Sequence, residues 1–493
     1  MLNGYHYTGP LPLGSVVAHN CGAAGLFSRN EKADVILQAV ERDDMYVLTV
    51  SIRGVEHTLT GRVSSMGRRL IGQSLLVLLR TEQGLPAHNE WGTMVGVRPT
   101  KLLHKYIDQY GSLEDATRHI GDEFSVSLEK LDILSRIGHY QRSFLESHSN
   151  KDISLYCGIP FCETRCVYCS FPYGLYQEYH RQSEFIAALL EDIDDVRQIC
   201  ETYNLHTNTL YMGGGTPTIL NNEDFHHVLT GLSTLIPKGH EFTVEAGRPD
   251  SINTEKIQSM QACHVNRISI NPQTMDDTIL RRIGRGHSAQ DIDDMYQYVK
   301  KHTDFAVNMD FIAGLPGQNI KHMVHNMDYI CHNLPENVTI HTLAIKRGSP
   351  LYDLNMQHDV PDESIVKHMV QYAQERLEQE GYVPYYLYRQ QYMRGQLENI
   401  GYTLPGKACE YNIQIMEERQ TIMSMGPGGS SKWIKAPAFR QKKQHMPKDV
   451  DVYTDTLKAL LAKRHALCKS FWEVVQWLLK DQEVHKISCQ NKL

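Results

Sequence analysis

Leu155-Tyr-Cys-Gly-Ile-Pro-Phe-Cys162-Glu-Thr-Arg-Cys166-Val-Tyr-Cys169 is the stretch whose reading decides the fold. A short strand-like run ends at Pro160-Phe161, and three cysteines follow on one loop at spacings of four and three. Three thiolates so placed can bind three corners of a cubane 4Fe–4S cluster, which leaves one iron open to another molecule. A zinc site needs a fourth nitrogen or sulfur ligand, usually from a second Cys or His pair, and none stands at suitable spacing. The remaining cysteines are scattered singly apart from nearby Cys157, and the total of 11 is odd, which argues against a disulfide framework.

Working outward, the loop follows the first strand of an alternating series. Strand-like runs at Ile153–Ile159, Thr209–Met212, Glu241–Glu245, Val265–Ile270, Phe305–Ile312 and Val338–Leu343 are separated by helix candidates. The helices are expected at Glu178–Tyr203, Glu223–Leu235, Met275–Ile283 and Met323–Asn333. This alternation predicts a parallel sheet, either a barrel or an open doubly wound sheet, with its site at the C-terminal ends of the strands. Before it lie two strands, Asp34–Val40 and Met45–Ile52, a helix near Arg68–Arg80, and helical periodicity over 101–148. After it come a helix at Pro361–Glu380, a Tyr-rich strand, a Gly-rich segment and an amphipathic helix from Leu457 to Lys480. Its stripe is Leu460, Leu461, Leu467, Phe471, Val475 and Leu478.

Composition agrees with a globular chain of two to four domains: 493 residues, 41% hydrophobic and 22% charged. Fifty Lys and Arg against 57 Asp and Glu give −7, so no general pull toward nucleic acid or anionic membrane exists. No apolar run reaches the roughly 20 residues of a membrane span, and the N-terminus lacks the pattern of a secretory signal. A cytoplasmic location is expected.

The second motif is Tyr211-Met-Gly-Gly-Gly-Thr-Pro-Thr218, ending the next strand. Three glycines let a backbone approach a ligand closely, and a tight turn rarely needs three. Further polar groups stand at later strand ends: Glu245, Gln273, Arg285 and Asp310. Carboxylates accept from hydroxyls or an ammonium, Gln does both, and Arg clamps a carboxylate bidentately. Gly401-Tyr-Thr-Leu-Pro-Gly-Lys-Ala408 falls one residue short of a phosphate-binding loop, with Ala408 where Ser or Thr must ligate magnesium, and reads as a loop.

The cysteine loop, with Tyr168 before its last ligand, resembles the radical S-adenosylmethionine (radical SAM) superfamily. The resemblance implies that the open iron chelates SAM. An electron then cleaves SAM to a 5′-deoxyadenosyl radical, which abstracts hydrogen from substrate. The strand-end set narrows the resemblance to the oxygen-independent coproporphyrinogen III oxidases (dehydrogenases) of HemZ type. It is carried by Trp91–Lys101, Glu245-Ala-Gly-Arg-Pro-Asp250, Ile270–Met275, His341–Arg347, Tyr385–Arg389 and Glu398–Tyr402, over about residues 31 to 455.

That family implies an α/β fold: a partial (β/α)6 radical SAM barrel with a small N-terminal α+β module and a C-terminal mixed α/β domain. The expected divisions are a loose leader 1–30, an N-terminal α+β and helical module 31–148, the core barrel 149–350, a substrate-covering domain 351–455 and a helical extension 456–493. Cys162, Cys166 and Cys169 would ligate the 4Fe–4S cluster. Tyr156, Gly214 and Glu245 would contact one SAM, and Tyr168, Gly215, Thr216, Gln273, Arg285 and Asp310 another, so one or two molecules bind. No catalytic side chain is expected beyond the cofactor-bound radical. Lys346, Arg347, Arg389 and Arg394 are the cations available to propionates of a tetrapyrrole. The implied reaction converts two propionates of coproporphyrinogen III to vinyls with loss of CO2, giving protoporphyrinogen IX in porphyrin and haem biosynthesis. A low-potential electron donor, flavodoxin or ferredoxin, and a monomeric state are expected. Two departures stand out: Phe171 replaces a further Cys, and Gly158 a common His. An aromatic at 171 resembles the related haem chaperones, whose HNxxYW signature is absent here. Haem binding, or another radical reaction on a tetrapyrrole, stays open beside the decarboxylation.

Overall fold

The computed structural model describes residues 2, 4–26, 28, 33–85, 90–92, 94, 98–146, 149–170, 174–346, 348–353, 359–390 and 397–490, with Ala23, Ser65 and 474–490 as backbone only. Residues 1–30, expected as a loose leader, carry a strand and a helix, β1 (Tyr5–Thr8) and α1 (Leu11–Ala23). β1 pairs in parallel with β2 (Val35–Arg42), and α1 buries Leu13, Val17 and Cys21. Pro12 stands in the first helical turn, where its missing N–H is not required, so the Pro content that suggested a loop marks a helix start. β2, β3 (Met45–Ile52) and β4 (Val55–Arg62) form an antiparallel meander. α2 (Ser65–Glu82) is capped by Ser64, whose hydroxyl accepts from Gly67 N at 3.0 Å, and packs on the meander.

The core changes between Leu79 and Trp91. Helices α3 (Pro99–Tyr110), α4 (Leu113–Phe124) and α5 (Leu128–Glu146) send Leu103, Ile120 and Leu134 into the same apolar cluster as the strands that follow. The division expected at residue 148 therefore falls inside one core.

All six strands of the alternation are present: β5 (Asp152–Ile159), then, after the short pair β6 (Phe161–Cys162) and β7 (Gly174–Leu175), β8 (His206–Gly214), β9 (Glu241–Gly247), β10 (Arg267–Gln273), β11 (Ala306–Ala313) and β12 (Asn337–Thr342). They are parallel throughout, in the order of the chain. Between and around them lie α6 (Gln182–Tyr203), α7 (Asn222–Ser233), α8 (Thr254–Ala262), α9 (Asp277–Arg282), α10 (Ala289–His302) and α11 (Ile320–Asn333). Because strand side chains alternate between faces, Ile153, Leu155, Leu210, Val244, Ile268, Met309 and Ile340 point outward under the helices. The other parity is polar or aromatic: Ser154 and Tyr156, Thr209 and Tyr211, Glu245, Ser269, Asn308 and Asp310, Thr339 and His341. A sheet with an apolar outside and a polar inside is the pattern of a partial barrel with a working lumen.

The segment 351–455 extends this sheet at both ends. After α12 (Pro350–Asp353) and α13 (Glu363–Gln379), β13 (Val383–Tyr388) and β14 (Asn399–Thr403) form an antiparallel pair beside β12. α14 (Glu410–Glu417) follows. Then β15 (Thr421–Met425) pairs in parallel with β5, carrying β16 (Ser430–Lys435) and β17 (Arg440–His445) with it. Among the described residues this makes an eleven-stranded sheet. Gly401–Thr403 is part of β14 rather than a loop. A Cβ on Gly401 would fall 1.8 Å from the Tyr386 ring, so this glycine serves packing. The final helix, α15 (Val450–Gln490), starts before Leu457. It buries Leu461 and Phe471 from the predicted stripe, and also Tyr453, Leu457, Arg464, Cys468 and Trp472. The side chains of Val475 and Leu478 lie outside the described ones. Arg464, fully buried, reaches Asp192 at 2.7 Å, Asp195 at 2.8 Å and the Ser424 carbonyl at 2.9 Å, locking α15 onto α6 and β15.

Candidate active site

The cysteine loop leaves β6 at the C-terminal ends of the strands. Its flanks are pinned by backbone: Val167 N donates to Ile283 O at 3.1 Å, Leu351 N to Val167 O at 2.8 Å, and Cys169 N to Cys166 O at 3.1 Å. Thr164 Oγ1 donates to Gly284 O at 3.0 Å. None of the three cysteines is in a disulfide. Together with Thr216, Arg248 and Arg285 they line a cavity of about 130 Å³. Burial, helped by Cys169 and Cys166 and opposed by Thr216 and Arg248, pushes the Cys162 thiol up to about 11. Iron would reverse that, since a coordinating thiol is deprotonated by the ion's charge. Among the described residues no three Cys, His, Asp or Glu side chains converge on a single ion. Thiolates bound to different irons of a cubane stand farther apart than the ligands of one zinc at about 2.3 Å. Arg285 Nε, buried without a partner in the wall of this cavity, adds an uncommitted donor. The donor set fits a 4Fe–4S cluster with an organic anion beside it.

The glycine motif runs alongside. Gly215 N donates to Ile159 O at 2.8 Å and Thr216 N to Phe161 O at 2.7 Å, while Thr216 Oγ1 lies 3.7 Å from Cys162 Sγ. A Cβ on Gly215 would come within 2.2 Å of Phe161 O, and one on Gly213 within 2.8 Å of the Glu245 carboxylate. Only Gly214 has a positive φ, at 111°. Gly213 and Gly215 are therefore also required by protein packing, and Gly215 lines the cavity as well.

Glu245 on β9 and Asp310 on β11, the strands that flank β10, lie within electrostatic reach of each other. Glu245 accepts from Tyr211 OH at 2.6 Å and Gly214 N at 3.2 Å. Burial, reinforced by Asp310, still pushes it up to about 7. Burial would raise Asp310 too, but His341 at 3.6 Å and Asn308 at 2.8 Å hold it below the ordinary carboxylate range. Tyr156, Tyr211 and Tyr411 form a triangle of near-parallel rings, with Tyr411 stacked on Tyr211 at 4.7 Å and Tyr156 6.4 and 6.3 Å from the two. Arg285 donates to Asn271 O at 2.6 Å and Tyr168 OH at 3.2 Å. Gln273 closes β10 with φ at 68°, a left-handed conformation unusual for a side-chain-bearing residue and maintained where structure over-determines it. Tyr156, Tyr168, Gly214, Gly215, Thr216, Glu245, Gln273, Arg285 and Asp310 thus all lie at the C-terminal strand ends or on the loops that pack there. Tyr211, Arg248, Asn308, His341 and Tyr411 were not singled out in the sequence. Tyr211 and His341 were legible by strand parity with Glu245 and Asp310; Tyr411, from a remote helix, carried no such signal.

The four candidate substrate cations separate. Lys346 is half-buried within electrostatic reach of Cys169, and its burial lowers it from the ordinary lysine value. Arg389 is turned to the protein: it donates to Met94 O and stacks on Trp91 at 5.2 Å, and burial, opposed by Glu398, lowers it to about 10. An arginine so committed to a carbonyl and an indole serves packing here, and a propionate would have to draw it off those partners. Arg347 and Arg394, like Phe171, lie outside the described residues.

Comparison with known proteins agrees with this geometry. Residues 156–330 match the radical SAM superfamily. The oxygen-independent coproporphyrinogen-III oxidase-like protein HemZ of Bacillus subtilis is 35% identical over 394 residues, 79% of this chain and 78% of that one. The haem chaperone HemW of the same organism is 30% identical over 208 residues, 41% of this chain and 53% of that one. Among solved structures, coproporphyrinogen III oxidase of Escherichia coli, described as a radical SAM enzyme, matches with a TM-score of 0.49. It shows 17% identity over 72% of this chain and 86% of that one. No helix among the described residues is long and apolar enough to cross a membrane.

Proposed function

Since the chain belongs to the HemZ-type family of oxygen-independent coproporphyrinogen-III oxidase-like proteins within the radical SAM superfamily, we propose that it carries out the oxidative decarboxylation of coproporphyrinogen III to protoporphyrinogen IX. The observation that carries this is the convergence of Cys162, Cys166, Cys169, the Gly214–Thr216 edge and Arg285 on one cavity. Cys162, Cys166 and Cys169 would hold the 4Fe–4S cluster, and the open iron would take SAM. When bound, the two supply a radical able to abstract hydrogen. Gly214, Gly215 and Thr216 offer backbone and hydroxyl groups to the methionine end of SAM. Arg285 suits its carboxylate, and Glu245 and Asp310 suit ribose hydroxyls or the ammonium. The stack of Tyr156, Tyr211 and Tyr411 below excludes water from the reacting carbons. Lys346, already desolvated beside Cys169, would receive a propionate. The similarity to haem chaperones favours a second reading in which haem is carried rather than made.

The test is anaerobic: cluster-reconstituted protein, SAM, a low-potential reductant and coproporphyrinogen III, with Cys166→Ala as control. Loss of two CO2 in step with 5′-deoxyadenosine, absent in the control, is the expected result. Deoxyadenosine without a change in porphyrin mass would sink this substrate, and a Soret band on haem titration would then support the chaperone reading.

A further inference from the structure

Arg248 lies three residues past Glu245, in the wall of the cavity that holds the cysteines. Its side chain is 5% exposed. Asp250 grips it bidentately: Nε donates to Oδ1 at 3.1 Å and Nη2 to Oδ2 at 2.8 Å. The remaining branch, Nη1, donates to Thr164 Oγ1 at 2.9 Å. Thr164 sits between Cys162 and Cys166 and is itself tied to Gly284. Asp250 does not line the cysteine cavity. It lines a separate outer cleft of about 420 Å³, where His287 Nδ1 stands 3.8 Å from its Oδ2. The pair is therefore polarised, with its cation toward the cysteines and its anion toward solvent. The geometry is not that of a surface ion pair, whose worth would be small.

We propose that Arg248, clamped by Asp250, is a fixed cation that tethers the cysteine loop through Thr164 and favours the reduced state of the cluster bound there. The inference rests on the reading that Cys162, Cys166 and Cys169 hold a 4Fe–4S cluster. Reduction by a low-potential one-electron donor adds one negative charge at the cluster. A nearby cation in a low-dielectric wall stabilises the added charge, and net charge and hydrogen bonding set cluster potentials. The same cation stays in place whether or not SAM is bound, because each of its three nitrogens is already tied to Asp250 or Thr164. Arg248 is thus a positioning and electrostatic residue rather than a catalytic one.

The test is a redox titration of the reconstituted full-length protein, following cluster absorbance and the EPR signal of the reduced form without SAM. At a potential that leaves the wild type half reduced, Arg248→Gln should lower the ratio of reduced to oxidised cluster about tenfold. That ratio corresponds to a shift of about 59 mV for one electron. Arg248→Lys should restore most of it. Asp250→Asn should move the potential the other way, because it removes the compensating anion while Asn still accepts from the guanidinium. Opposite signs distinguish an electrostatic role from general loosening, which would move both variants alike. A fully loaded Arg248→Gln with an unshifted potential, or two variants shifted in the same direction, would overturn the proposal. If Arg248→Gln fails to load iron, the rise expected of Asp250→Asn decides alone, and an unshifted or lowered potential there overturns it. Absence of iron–sulfur absorbance in the wild type would instead defeat the cluster reading itself.

Discussion

The two ends of the barrel use their polar groups in opposite ways. At the N-terminal ends of the strands, unlike groups are matched. Glu241 accepts from Glu410 N at 2.7 Å and Tyr411 N at 2.9 Å, which caps α14, and stands 3.7 Å from Arg267. Arg267 in turn donates to the carbonyls of Lys407 and Ala408 at 2.8 and 3.0 Å. At the C-terminal ends, like groups are crowded: three thiols share one cavity, and the carboxyls of Glu245 and Asp310 lie within reach of each other's charge. Matched charges close a fold, whereas crowded ones wait for a ligand of the opposite kind. The same sheet is thus a plug at one end and a site at the other.

The sharpest way to break this contrast is to cut one group at each end. Cys166→Ala should remove the cluster chromophore and all deoxyadenosine formation. With both proteins free of cluster, its unfolding free energy in urea should stay within about 1 kcal/mol of the parent, because the one atom lost, the sulfur, borders a cavity already open. Glu241→Ala should do the reverse. It leaves Arg267 buried without its carboxylate and uncaps α14, at a cost of about 3–5 kcal/mol in urea unfolding. Iron content per folded molecule should hold. A Glu241→Ala protein as stable as the parent would show that the lower end is no seal.

The contrast also explains what the sequence makes legible. The six parallel strands are readable because each alternates an apolar outer residue with a polar or aromatic inner one and is followed by a helical period. Cys162, Cys166, Cys169 and Gly213–Gly215 are readable because their spacing is local. What escapes is whatever depends on distant partners. β15 reads as part of a Gly-rich segment until it lies beside β5, and Glu241 reads only as the start of a strand until Glu410 arrives 169 residues later. Arg464 looks like the polar side of a helix until Asp192 and Asp195, on another helix, turn it inward. Arg389 is the same case in reverse: a cation that the sequence leaves open to a ligand is held by Trp91 from across the fold. Spacing reveals groups that act together on one loop, and not charges paired across the fold.

Two carboxyls carry the comparison into pH. Glu245 at the upper end and Glu417, fully buried beside Thr100 at the end of α14, are both pushed up to about 7, first of all by burial. An acid raised in the fold keeps its proton while the unfolded chain has lost it, so the native state binds more protons between about 4.5 and 7. Stability should therefore fall as pH rises through that window and level off above it. Glu417→Gln should remove about 3 kcal/mol of that fall, given about 1.4 kcal/mol per pH unit over the shift from 4.5 to about 7. The loss should be the same with or without SAM. Glu245→Gln should also flatten the curve, but saturating SAM should change its share, since Gly214, which donates to that carboxyl, lines the cavity. Equal responses of both variants to SAM would blur the two ends into one.

Tyr211→Phe is the smallest and most local probe. The phenol donates to the charged form of Glu245 at 2.6 Å and so holds the carboxyl down against burial and against Asp310. Without it, Glu245 should titrate higher still, by an amount worth about 1 kcal/mol, with the ring stack on Tyr411 intact. A carboxyl ¹³C titration would read the midpoint directly. The shift must be upward: the hydroxyl favours the ion, and its removal favours the acid. A downward shift, or none, would mean that the repulsion between Glu245 and Asp310 is relieved by some other donor in the mouth. The upper end would then be better matched, and more like the lower one, than its crowded groups suggest.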